Sequence, residues 1–143
     1  FTMIKSVLVV CVGNICRSPT GERLFKRALP HTRIASAGLG ALKGHPADKT
    51  ASAVAAEHGV SLDGHEAQQL TASMCRDFDL ILVMEKRHVE QVNRIDPAAR
   101  GKTMLLGHWL NQRKLRIRTK KAVRPLKRFT GYWKTLPRNG LTY

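Results

Sequence analysis

A chain of 143 residues, 43% of them hydrophobic, suits one domain with a single core, and its longest apolar runs are too short to span a membrane. Three cysteines, an odd number, and no secretion signal at the start disfavour a disulfide-stapled secreted fold and favour a reduced cytoplasmic protein. The net charge of +15 is uneven, because residues 111–143 contain 11 of the 25 Lys and Arg but no acid. We therefore divide the chain into a mildly basic domain, residues 1–110, and an atypical basic tail, residues 111–143.

The first predicted elements are a strand and the helix that follows it. Residues 5–11 contain the continuous apolar run Val7-Leu8-Val9-Val10-Cys11, rich in β-branched side chains, which indicates a buried strand over residues 5–11. Ser18 is placed to cap the next helix and Pro19 to open it, since proline needs no hydrogen-bond acceptor in the first turn. Pro30 predicts the end of that helix.

The pattern then alternates between strands and helices. Further strands are predicted at residues 33–37, 79–84 and 103–106, and helices at residues 46–58, 71–76 and 86–94. Such alternation predicts an α/β fold, a four-stranded parallel sheet flanked by helices, with a phosphate-binding loop after strand 1. The active crevice of such a sheet lies at the carboxyl ends of its strands, where Cys11 falls.

The loop between the first strand and helix has the chemistry of an anion site beside a nucleophile. Inward-facing loop amides and the positive end of a helix bind phosphate-like oxyanions. Arg17 adds a planar fork that can grip two oxygens, and the positive surroundings favour the thiolate of Cys11. A thiolate beside a bound phosphate is a phosphoryl acceptor. The alternative, that Cys11 is an inert core thiol, fits the Cys-(x)5-Arg-Ser spacing at a strand-to-helix junction poorly.

Several segments together resemble the low-molecular-weight protein tyrosine phosphatases, and among them the bacterial members encoded with capsule and exopolysaccharide export systems. The resemblance covers residues 4–110. Its markers are Val-Cys-Val-Gly-Asn-Ile-Cys-Arg-Ser-Pro-Thr-Gly-Glu, Ser36-Ala37-Gly38, Gly59-Val60-Ser61-Leu62 followed by His65, and the segments 79–86 and 100–104. It implies hydrolysis of phosphotyrosine through a phosphocysteine intermediate, without metal or other cofactor. The implied partner is a phosphotyrosine protein, a membrane-associated tyrosine autokinase of polysaccharide export.

The resemblance also assigns roles to individual residues. Cys11 becomes the nucleophile, Arg17 the phosphate clamp and transition-state stabiliser, and Ser18 the hydrogen-bond partner of the thiolate. The phosphate-binding loop then comprises Val12, Gly13, Asn14, Ile15 and Cys16.

Further residues match supporting positions of the same family. Asn14, Ser36 and His65 match a network that holds the loop in shape, although the residues alone are equally compatible with turn, strand-end and surface positions. Cys16 matches a cysteine that can form a reversible disulfide with the nucleophile. Leu39 matches a wall residue of the substrate slot. Cys75 has no motif and is expected in the core.

One part of the expected machinery is missing from the sequence. A phosphatase of this kind protonates the leaving oxygen with a general acid, and the family supplies it from an Asp-Pro-Tyr segment beyond the last strand. This chain has no Asp or Glu after Asp96. When the codons of the tail are read one base earlier, with synonymous bases chosen freely, they can spell Asp-Pro-Tyr followed by an amphipathic helix. We therefore expect that a single-base frameshift near Arg113 replaced the native carboxyl end.

Two alternative functions remain open. The first is a catalytically impaired protein of the phosphatase fold whose basic tail binds anions. Nucleic acid is expected as a partner only if that tail is genuine. The second is arsenate reduction, which needs a relay of further cysteines, and Cys75 is the one cysteine outside the loop.

Overall fold

The computed structural model of the chain describes residues 4–57 and 59–106. The basic tail at residues 111–143, and with it the predicted frameshift, lies outside the described residues. The elements in chain order are β1 (Ser6–Cys11), α1 (Arg17–Ala28), β2 (Arg33–Gly38), α2 (Lys49–Glu57), α3 (Ala72–Asp77), β3 (Leu80–Val83), α4 (Lys86–Ile95), a 3-10 helix (Pro97–Lys102) and β4 (Thr103–Leu105).

The strands form one parallel sheet in the order β2-β1-β3-β4. The predicted α/β fold with a four-stranded parallel sheet is thereby confirmed. Cys11 is the last residue of β1 and pairs with Gly38, the last residue of β2, so both lie at the carboxyl edge of the sheet. That edge is where the loop leading to α1 begins.

Helices cover both faces of the sheet because successive side chains of a strand point to opposite faces. On β1, Val7 and Val9 join a core cluster with residues of α1 and α2, such as Phe25. Leu8 and Val10 join a second cluster with residues of α3 and α4. This two-sided burial accounts for the continuous apolar run of β1, which lacks the alternation of a half-exposed strand.

The predicted bounds differ from the observed ones mainly at the ends of elements. The prediction that Ser18 caps α1 is wrong: α1 begins at Arg17, and its cap residue Cys16 makes no side-chain capping bond. Ser18 lies within the first turn, and its hydroxyl contacts Asn14 Nδ2 and Cys11 Sγ. The 3-10 helix was not predicted; Pro97 opens it, and Asp96 Oδ1 accepts from Ala98 N at 3.1 Å. None of the helices in the described part of the chain has the length and apolarity to cross a bilayer.

Candidate active site

The loop between β1 and α1 is held in an unusual conformation at Asn14. This residue has φ of 57°, in the left-handed region that side chains other than glycine rarely adopt, and it is fully buried. Its carbonyl oxygen accepts a hydrogen bond from Nε2 of His65 at 2.6 Å. Because a carbonyl only accepts, this nitrogen carries the ring proton. The buried His65 thus stabilises the turn at Asn14 through this hydrogen bond.

The Asn14 side chain has only one orientation that satisfies its neighbours. The backbone N–H of Gln68 donates to Asn14 Oδ1 at 2.9 Å, and an N–H cannot accept. The amide nitrogen therefore faces the two hydroxyls, with Nδ2 at 2.8 Å from Ser18 Oγ and 3.0 Å from Ser36 Oγ. Both serines must accept from it.

The direction of these bonds fixes the role of Ser18. Since Ser18 Oγ accepts from Asn14, its own proton is available for Cys11 Sγ, which lies 2.9 Å away. Ser36 in turn donates to Glu22 Oε1 at 3.0 Å. A buried hydroxyl donating to sulfur stabilises the thiolate more than the thiol. The network therefore orients the Ser18 hydroxyl towards the sulfur of Cys11.

Arg17 is held at the side of this loop by an ion pair from another strand end. Its Nη1 donates to Glu85 Oε1 at 2.9 Å, and Glu85 Oε2 also pairs with Arg87 at 2.7 Å. Partial burial alone would raise the Glu85 pKa, but the Arg17 hydrogen bond and the charges of Arg17, Arg87 and His88 bring it below its usual value. A charge-assisted bond of this kind fixes the plane of the guanidinium.

The segment that follows β2 runs along the phosphate loop. The N–H groups of Leu39, Gly40 and Leu42 donate to the carbonyl oxygens of Cys11, Val12 and Gly13, at 2.9, 2.9 and 3.1 Å respectively. The half-buried Leu39 is thereby placed next to Cys11, and its side chain packs against the second core cluster.

The close contact between the two segments depends on Gly38. A Cβ at Gly38 would lie 2.4 Å from the carbonyl oxygen of Val12. Only glycine therefore lets the end of β2 approach the phosphate loop so closely.

The other two cysteines are buried and weakly acidic. Burial, together with the charges of Cys11 and Asp48, raises the pKa of Cys16 to about 12, and the charge of Arg17 only partly offsets this. Burial likewise raises the pKa of Cys75 on α3, with a smaller contribution from the charge of Asp96. A thiol relay for arsenate reduction needs the opposite shift, so no observation at Cys75 favours that alternative.

The predicted site residues lie together, and the network contains residues that sequence reasoning missed. Cys11, Asn14, Ser18, Ser36 and His65 form one connected group, with Arg17 and Leu39 at its border. The missed contributors are Glu22, Gln68 and Glu85. Glu22 is the last residue of the motif that begins at Val10, so its part in the site could have been suspected from the sequence. No spacing rule links Gln68 or Glu85 to the loop.

The fold and the site together match a class of protein: a parallel α/β domain with a buried cysteine at the end of its first strand and an arginine at the start of the next helix, as in cysteine-dependent phosphatases. In a comparison with family models, residues 6–119 match the family described as "Low molecular weight phosphotyrosine protein phosphatase". The chain belongs to this family, which confirms the resemblance, and its enzyme class is protein-tyrosine phosphatase.

Individual relatives agree with this assignment. The chain is 70% identical over 113 residues to "Probable low molecular weight protein-tyrosine-phosphatase AmsI" of Erwinia amylovora, which covers 79% of this chain and 78% of the relative. It is similar to the crystal structure of the Erwinia amylovora tyrosine phosphatase AmsI, with a TM-score of 0.77, 58% identity and 93% of each chain covered. It is also similar to Vibrio vulnificus Wzb in complex with benzylphosphonate, with a TM-score of 0.76 and 44% identity, covering 92% of this chain and 97% of that one.

Proposed function

We propose that this chain hydrolyses phosphotyrosine in proteins through a phosphocysteine intermediate on Cys11. The observation that carries the proposal is the Ser18 hydroxyl, which lies 2.9 Å from the Cys11 sulfur with its proton free to point there. A hydrogen bond that favours the thiolate prepares the sulfur for attack on phosphorus.

The chemistry follows in two displacements. In the first, the Cys11 thiolate attacks phosphorus, the phosphorus–oxygen bond to the tyrosine ring breaks, and a thiophosphate forms. In the second, water attacks that thiophosphate, releasing inorganic phosphate and restoring the thiolate. Arg17 and the loop amides bind the equatorial oxygens, where charge accumulates. Ser18 stabilises the sulfur both before attack and as it leaves.

The proposed substrate is a phosphotyrosine side chain on a protein partner, and the wall beside the loop is its binding element. Support comes from the half-buried Leu39 and from the solved relative, Wzb, whose ligand benzylphosphonate combines a phosphonate with an aromatic ring. We further propose that the partner is a membrane-associated tyrosine autokinase of polysaccharide export and that the enzyme works in the cytoplasm. This finer assignment rests on the resemblance to the exopolysaccharide-associated subgroup.

The test compares two cysteine variants on a phosphotyrosine peptide and a phosphoserine peptide. Cys11→Ser removes the nucleophile and should lower kcat by at least about 10³, since nucleophilic catalysis and thiolate activation are lost together. Cys75→Ala is the matched control, because Cys75 is a buried cysteine on α3, away from the loop. If Cys11→Ser retained wild-type activity, or if both peptides were hydrolysed equally, the proposal would fail.

The sequence as written gives this enzyme no acid after Asp96 for the leaving oxygen. The phenolate then leaves without a protein proton donor, a loss of roughly 10²–10⁴ for poor leaving groups. Arylphosphates of decreasing leaving-group acidity should therefore show a steep fall in kcat, with p-nitrophenyl phosphate the least affected. The missing acid also favours the alternative of a catalytically impaired phosphatase. If kcat did not depend on the acidity of the leaving group, that alternative would be excluded.

A further inference from the structure

We infer that Gln69 is a positioning residue that holds the wall of the substrate slot and thereby sets the preference for an aromatic ring over bare phosphate. The inference rests on the proposed function, in which Leu39 supplies that wall. Gln69 comes directly after the segment from His65 to Gln68, which supports the phosphate loop, and it lies before α3. Its backbone forms a bridge with Gly38, the last residue of β2.

The Gln69 side chain binds the backbone of the wall at two points. Its Oε1 accepts from the N–H of Ala41 at 2.9 Å, and its Nε2 donates to the carbonyl of Leu39, also at 2.9 Å. The same Nε2 lies 3.3 Å from the carbonyl of Leu70. One half-buried amide thus uses its acceptor and its donor on alternate residues of one segment, as a neighbouring strand would.

The two hydrogen bonds of Gln69 complete the set that holds the backbone of the wall, the segment from Gly38 to Leu42 that carries Leu39. Each N–H from Gly38 to Leu42 has an acceptor. It is the Gln68 carbonyl for Gly38, the carbonyls of consecutive residues 11, 12 and 13 for residues 39, 40 and 42, and the Gln69 side chain for Ala41. The phosphate loop therefore holds one edge of the segment and Gln69 holds the other. Without Gln69, the Leu39 carbonyl and the Ala41 N–H lose their protein partner while the phosphate loop keeps its own.

The adjacent glutamine makes a useful contrast. The side chain of Gln68 donates to the carbonyl of Ser36 at 2.8 Å, within β2, and its backbone supports Asn14. The two neighbours thus bind different parts of the site: Gln68 the strand end behind the phosphate loop, Gln69 the wall. Truncating both side chains to alanine separates these two contributions.

The experiment measures two dissociation constants by calorimetry, for benzylphosphonate and for inorganic phosphate. Both ligands use the phosphate loop, but only benzylphosphonate has a ring that reaches the wall. We expect Gln69→Ala to weaken benzylphosphonate binding about fivefold, the equivalent of one net hydrogen bond, with phosphate binding within about twofold of wild type. In steady state the same variant should raise KM for arylphosphates more than it lowers kcat.

Gln68→Ala is the matched control, an equal truncation at the adjacent position. Its ratio of the two dissociation constants should equal that of the wild type. A Gln69→Ala ratio equal to the wild-type one, or an equal change for both ligands, would overturn the inference, as would a wild-type chain that binds benzylphosphonate no better than phosphate. Binding needs no turnover: a changed ratio in a chain that fails to hydrolyse phosphotyrosine would support Gln69's role and refute only the proposed function.

Discussion

Acidification should destabilise this protein through His88, a buried histidine on α4. The side chain is fully buried, and neither ring nitrogen has a hydrogen-bond partner among the described residues. Burial lowers its pKa to about 4 from 6.5, and the positive charges of Arg17 and Arg87 contribute, although Glu85 acts in the opposite direction. The imidazole is therefore neutral in the folded protein at neutral pH.

The sign and size of the effect follow from proton linkage. Between pH 6.5 and about 4, the unfolded chain binds a proton at His88 while the folded chain does not. The contribution of neutral His88 to stability is thus fully present above pH 6.5 and decreases as the pH drops towards 4. Below pH 4 this residue causes no further change. At 1.36 kcal/mol per pKa unit, the shift corresponds to at most about 3 kcal/mol.

The assay is urea unfolding followed by far-UV circular dichroism from pH 7.5 to pH 4, on wild type and His88→Leu. Leucine fills a similar volume without polar atoms, so at pH 7.5 the variant should be about as stable as wild type or more so. As the pH is lowered from 7.5 to 4, the free energy of unfolding of His88→Leu should fall by up to about 3 kcal/mol less than that of wild type. Parallel pH curves for the two proteins would show that His88 contributes nothing to the acid sensitivity, because carboxylate titration is common to both.

Three further predictions concern the loop and its supports. Gly38→Ala places a Cβ 2.4 Å from the Val12 carbonyl oxygen and should cost about 1–3 kcal/mol in urea unfolding, whereas Gly40→Ala, with open space at that position, should not. Glu85→Gln removes the charge that orients Arg17 and should raise the dissociation constant of inorganic phosphate about tenfold, whereas Glu90→Gln, exposed on α4, should not. With its pKa raised to about 12, Cys16 should stay unmodified by iodoacetamide at pH 8 while Cys11 reacts, as peptide mapping would show; equal labelling would contradict the raised pKa of Cys16.

The sequence was sufficient for the sheet and the nucleophile because both have local signals. The apolar run of β1, the spacing from Cys11 to Arg17 and the alternation of strands with helices are all readable along the chain. They predicted the parallel sheet correctly and placed Cys11 at its carboxyl edge. The cap prediction for Ser18 failed because local spacing cannot show that a hydroxyl is already engaged elsewhere in the fold.

The supports of the loop could not be predicted because they come from distant parts of the chain. Glu85 is 68 positions from Arg17, and Gln68 is 54 positions from Asn14. Neither has a periodicity or a motif that marks it, and only the parallel pairing of the strands brings them to the same edge. Polar side chains that act through hydrogen bonds of one geometry are visible only once that geometry is known.

The most direct measurement mixes the enzyme with a ³²P-labelled phosphotyrosine peptide and quenches the reaction rapidly. The enzyme is then digested, and its labelled fragment is identified by mass spectrometry. We expect label on Cys11, stable to base and labile to mild oxidation as a thiophosphate is. Label on any other residue, or turnover without a covalent intermediate in an otherwise active enzyme, would contradict it.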